Sequence, residues 1–66
     1  MGELFVDQRG AALRVTWHAA PGIVVLSIWR VDRCVATVRL EPDEARRLTA
    51  FLQEALAEDG QVVAGS

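Results

Sequence analysis

The sequence predicts an α+β domain: a three- or four-stranded antiparallel β-meander followed by one C-terminal α-helix packed on one face, the whole associated as a homodimer. Three stretches carry that expectation. Gly22 to Leu40 is crowded with strand-favouring Val, Ile, Thr and Trp and is broken only around Asp32, as two adjacent strands joined by a tight turn would be. Upstream, Leu13, Val15 and Trp17 alternate with Arg14, Thr16 and His18, the period-two signature of a half-buried strand. Downstream, Glu41-Pro42-Asp43-Glu44 reads as a helix start, with Pro at the first helical position and acids at the positive end of the helix dipole.

Taken in order, residues 1–66 form a single domain. Leu4 to Val6 is a short apolar patch suited to an edge strand at about 3–7 or to an arm, and Asp7-Gln8-Arg9-Gly10 is a turn. A second strand covers about 12–18. Ala20-Pro21-Gly22-Ile23 supplies the next turn, Pro fixing φ and Gly accepting a positive one. Strands at about 23–30 and 34–40 follow, then a helix over about 42–58 that Gly60 ends, and a frayed tail over 60–66. In the helix Ala45, Leu48, Leu52, Ala55 and Leu56 share one stripe at the 3.6-residue period. Asp43 and Arg47 form an i,i+4 pair on the solvent side, and Phe51 lies off the stripe as a second contact point.

The strand pattern also sorts side chains onto faces. If Ala20 pairs with Ile23, Leu13, Val15, Trp17, Val24, Leu26 and Ile28 share an apolar face, and Arg14, Thr16, His18, Val25, Ser27 and Trp29 share the opposite, mixed one. A three-residue loop at Val31 to Arg33 adds Cys34, Ala36, Val38 and Leu40 to the apolar face and Val35, Thr37 and Arg39 to the mixed one. A two-residue loop reverses this. The three-residue loop is preferred because it separates apolar from polar side chains, although two-residue hairpin loops are common.

At 66 residues the chain can hide only about 60% of the surface that it exposes when unfolded, yet 52% of its residues are hydrophobic. Apolar area is therefore left over, and self-association is expected. The net charge of -2 gives no general pull toward nucleic acid or anionic lipid. Residues 1–40 nevertheless sum to +2 (five Arg against Glu3, Asp7 and Asp32) and residues 41–66 to -4 (two Arg against six acids). With a single Cys there is no internal disulfide, so a cytoplasmic location is expected. The opening residues lack the basic start and long apolar run of a signal peptide, and Ile23 to Trp29 is too short to cross a bilayer. No membrane partner is expected.

An enzyme is not expected, nor is a cofactor or a metal. Cys34 and His18 are the only residues of their types, and the preferred register sets them on opposite faces, Cys34 as a small buried side chain. Ser27 and His18, if diagonal neighbours, are the one nucleophile and base that can be paired, and they lack an orienting acid and an oxyanion hole. The helix carboxylates spread around its solvent side, and no Gly-rich phosphate loop is present. What remains is the mixed face. Trp29 among Arg14, Thr16, His18, Val25, Ser27 and Arg39, with Val31 at the turn, reads as a dimer seam rimmed by Arg. It also reads as a stacking surface for single-stranded nucleic acid.

Leu-Arg-Val-Thr-Trp-His at 13–18, Val-Val-Leu-Ser-Ile-Trp-Arg at 24–30 and Cys-Val-Ala-Thr-Val-Arg-Leu at 34–40 resemble a group of small actinobacterial sheet-plus-helix proteins, a likeness that covers residues 13–56. It brings no activity with it. In layout alone, antiparallel strands followed by one helix are similar to single-strand-binding transcription cofactors of the PC4 type and to the dimerisation domain of Lsr2 nucleoid proteins. The first likeness implies DNA binding through the sheet, the second self-association. The expectation is thus a non-catalytic homodimeric module that meets an unidentified protein partner, accessory to a regulatory or nucleoid complex. The alternative is a single-strand-binding cofactor that uses the Trp29 face.

Overall fold

The computed structural model describes residues 1–65, with side chains through residue 59. Four strands, β1 (Gly2–Val6), β2 (Ala11–His18), β3 (Ile23–Arg30) and β4 (Arg33–Leu40), form one antiparallel sheet in the order β1-β2-β3-β4, followed by helix α1 (Pro42–Gly65). The α+β meander is as expected, with four strands rather than three. Each β-turn is short enough that consecutive strands must be neighbours, so the sheet order follows the chain order.

Between β2 and β3 the register differs from the expected one. His18 pairs with Ile23, Trp17 with Val24, Val15 with Leu26 and Leu13 with Ile28, where the sequence reading paired Ala20 with Ile23. Ala19 and Ala20 belong to the turn because Pro21 has no N–H to give a ladder. The turn closes instead through the Gly22 N–H on the His18 carbonyl at 2.8 Å, with Gly22 at φ 90° and a cis Ala20-Pro21 bond. The shift is by two residues, so every side chain keeps its face.

The β3–β4 turn holds two residues, Val31 and Asp32, with Arg30 opposite Arg33, not the preferred three. The faces do not reverse, however. A bulge between Ile28 and Trp29 takes up one extra residue on β4, and beyond it Ile28 meets Ala36, Leu26 meets Val38 and Val24 meets Leu40. Two residues change company: Val35, expected beside Trp29, is the extra residue of the bulge and has no partner in the register, and Cys34 pairs with Trp29, is exposed, and its Sγ lies 3.6 Å from Thr37 Oγ1. It is therefore neither buried nor set beside Leu26 and Ile28.

Helix α1 starts as predicted, with Pro42 first, Asp43 and Glu44 in its opening turn, and the Ala45 N–H on the Glu41 carbonyl at 2.9 Å. The expected Asp43–Arg47 pair is replaced by two i,i+3 pairs, Arg46–Asp43 at 3.0 Å and Arg47–Glu44 at 2.8 Å. The helix also runs past residue 58 and through Gly60. One glycine costs a helix about 1 kcal/mol relative to alanine, which does not oblige the helix to end there.

Among the described residues the helix touches β3 and β4, and exposure along its stripe rises from 38% at Leu48 to 47% at Leu52 and 67% at Leu56. Among the described residues no apolar side chain is buried. The accessible surface is 5611 Å², against about 4,100 Å² for a compact folded chain of this mass. The radius of gyration is 14.4 Å, where a compact domain of this length has about 11 Å. The sheet's apolar face and the helix stripe both remain open.

Candidate interaction surface

The mixed face is organised by one side-chain relay. Ser27 is the only buried residue among those described, and it lies opposite Arg14 on β2 and Thr37 on β4, in the middle of the sheet. Its Oγ accepts the Trp29 indole N–H at 3.0 Å and sits 3.5 Å from the Arg14 carbonyl, to which it donates. Residues i and i+2 of a strand share a face, so Trp29 lies along its own strand with its polar edge turned toward Ser27. The half-buried ring is thereby tethered to the sheet by its N–H. Leu4, Ala12, Arg14, Trp29 and Val31 line a shallow hollow beside it.

The remaining predicted positions fall around this relay. Thr16 pairs with Val25, and Val25 with Arg39, so these three form the next rung beyond Ser27. His18 stands exposed at the strand end opposite Ile23, four residues from Arg14. At the rise of a strand that is roughly 13 Å from the Ser27 rung, so Ser27 and His18 are not neighbours. The Ser27 hydroxyl is in any case engaged by Trp29. Phe51 lies apart from the sheet face, 66% exposed, in a hollow that it shares with Leu40, Glu44, Arg47 and Leu48.

Two features were not read from the sequence. Leu4 joins the mixed face because β1 pairs with β2 in the register Leu4–Arg14, which also sets Gly2 against Thr16. A side chain at Gly2 would stand 3.4 Å from the Val15 carbonyl oxygen. The other feature is the Ser27–Trp29 bond, whose only sequence signal is the i,i+2 spacing. By register and alternation the strand positions of the mixed face carry Arg14, Arg39 and His18 and no carboxylate. Among the described residues no group of three His, Cys, Asp or Glu side chains is placed to hold a metal. No described helix is long and apolar enough to cross a membrane.

Comparison of the chain with protein-family models, with curated proteins and with solved structures finds no match in any of the three.

Proposed function

We propose that this chain is a non-catalytic, homodimeric protein-interaction module. The observation that supports this is the open state of its apolar surface: a sheet and an amphipathic helix that bury no apolar side chain among the described residues leave the hydrophobic driving force unspent. The surplus of about 1,500 Å² over a compact chain is close to twice the ~800 Å² that each partner gives to a standard interface. A second copy is always present at the chain's own concentration, and the mixed face is then free for another protein. Light scattering on the full chain over a micromolar concentration series tests this. A dimer mass is the expected result, and a monomer at every concentration overturns the reading.

A second reading has its own support. A sheet face that bears Arg14, Arg39 and His18 without a carboxylate, around a ring tethered by Ser27, suits a single-stranded nucleic acid, whose bases stack and whose phosphates take Arg. Trp29 fluorescence in a Trp17→Phe background reports on that face alone. Quenching by an oligothymidine that fades steeply with salt is the expected signature, and an unchanged spectrum at low salt rejects this second reading.

A further inference from the structure

We propose that a second copy of this chain adds to the open edge of β1, in the antiparallel register centred on Leu4, so that the two four-stranded sheets become one continuous sheet. This rests on the self-association reading and assigns it the strand edge; the apolar sheet face and helix stripe stay open in such a pair.

The hydrogen-bond phase of β1 comes first. The Trp17 N–H bonds the Met1 carbonyl at 2.8 Å and the Asp7 N–H bonds the Ala11 carbonyl at 2.7 Å. In an antiparallel ladder every second residue bonds the same neighbour, so Glu3 and Phe5 also face β2. Gly2, Leu4 and Val6 therefore turn their N–H and C=O groups outward, away from the sheet.

The two edges of the sheet are not treated alike. β4 is interrupted by the bulge opposite Trp29 and carries Arg33 and Arg39, the devices by which edge strands resist unwanted pairing. β1 is Gly-Glu-Leu-Phe-Val, with one charge, no proline and no bulge in its register. It also carries very exposed apolar side chains: Val6 is 80% exposed, Leu4 58% and Phe5 52%. An edge that carries exposed apolar side chains on both faces and none of these guards is open to pairing with another strand.

The strand is complementary to itself. A two-fold axis through Leu4 sets Leu4 opposite Leu4 and Gly2 opposite Val6, so that every outward donor of β1 meets an outward acceptor. It sets Glu3 opposite Phe5. Moving the axis to Glu3 would place two carboxylates face to face and leave Val6 over, and moving it to Phe5 would leave Gly2 over. Because Leu4 lines the Trp29 hollow, the two mixed faces join across the axis into one surface.

Light scattering on the full-length chain, with Leu4→Ala and Leu4→Pro, tests the surface. Proline removes an outward N–H without touching the bonds to β2, whereas alanine keeps it. The expected result is a dimer for the parent and for Leu4→Ala, and a dissociation constant raised about 10- to 100-fold for Leu4→Pro, which loses two symmetry-related bonds. Amide exchange on the parent dimer gives a second measure should Leu4→Pro fail to fold: slow exchange at Gly2, Leu4 and Val6 supports the pairing. A dimer whose Gly2, Leu4 and Val6 amides exchange freely, or a Leu4→Pro chain that dimerises like Leu4→Ala, overturns this surface and leaves self-association standing. A parent chain that is monomeric throughout overturns both.

Discussion

Replacing Ser27 by Ala isolates the bond that holds Trp29 to the sheet. The Ser27 hydroxyl makes two contacts, 3.0 Å from Trp29 Nε1 and 3.5 Å from the Arg14 carbonyl. The second is at the outer limit of a hydrogen bond and contributes little, and the Arg14 carbonyl lies in the Arg14–Ser27 ladder pair in any case. The loss is therefore the indole bond. A net bond of this kind stabilises by about 0.5–1.5 kcal/mol, and the half-buried indole can turn partly to water once its acceptor is gone. A cost of about 1 kcal/mol is expected. With a urea m-value of about 1 kcal/mol/M, the unfolding midpoint falls by about 1 M. Trp29→Phe keeps a ring and discards the N–H, so a double-mutant cycle reads the bond itself. Ser27→Ala in the Trp29→Phe background should cost about 1 kcal/mol less than in the parent. Circular dichroism at one fixed chain concentration provides the measurement. A coupling energy below about 0.3 kcal/mol would refute the relay and with it the pinned ring.

Two further outcomes follow from the backbone and from the missing core. Val31 is 96% exposed and sits at φ 59°, a region that costs a residue with a Cβ about 1–2 kcal/mol, so Val31→Gly should stabilise the chain by about 0.5–1 kcal/mol once the added freedom of the unfolded glycine is deducted. A raised urea midpoint checks it, and a lowered one contradicts the strained turn. If folding and dimerisation are coupled, each tenfold dilution of the parent lowers apparent stability by about 1.4 kcal/mol, and a urea midpoint independent of concentration argues against coupling.

The faces of the sheet were legible because they depend only on parity. Leu13, Val15 and Leu26 lie together whether Ile23 meets Ala20 or His18, since the two pairings differ by an even number of residues. The turns were not legible, for want of a residue that forces one solution. Val31-Asp32-Arg33 contains no glycine, and the structure meets the hairpin's demand for a positive φ by placing Val31 there, then restores parity with a bulge that no residue announces. The helix was legible in its start and in its stripe. The exposure of that stripe was not, because periodicity shows which side of a helix is apolar and is silent on what that side meets.

The candidate surface shows the same division between what alternation fixes and what partners fix. Arg14, Thr16, Val25, Ser27 and Trp29 share a face because membership within β2 and β3 needs only the period of two, whereas Arg39 joins them only because the bulge offsets the shorter turn. The pairing of Ser27 with His18 failed because it needed the register itself, and a slip of two residues along a strand is about 7 Å, farther than a hydroxyl reaches. Leu4 was missed for the reason that makes β1 informative. A five-residue strand gives sequence reading little to hold, yet it pairs with β2 on one side and with no other described strand on the other. Its outward N–H and C=O groups at Gly2, Leu4 and Val6 are left for water or for a partner strand. The weakest element in the sequence is therefore the one whose environment says most about what the molecule associates with.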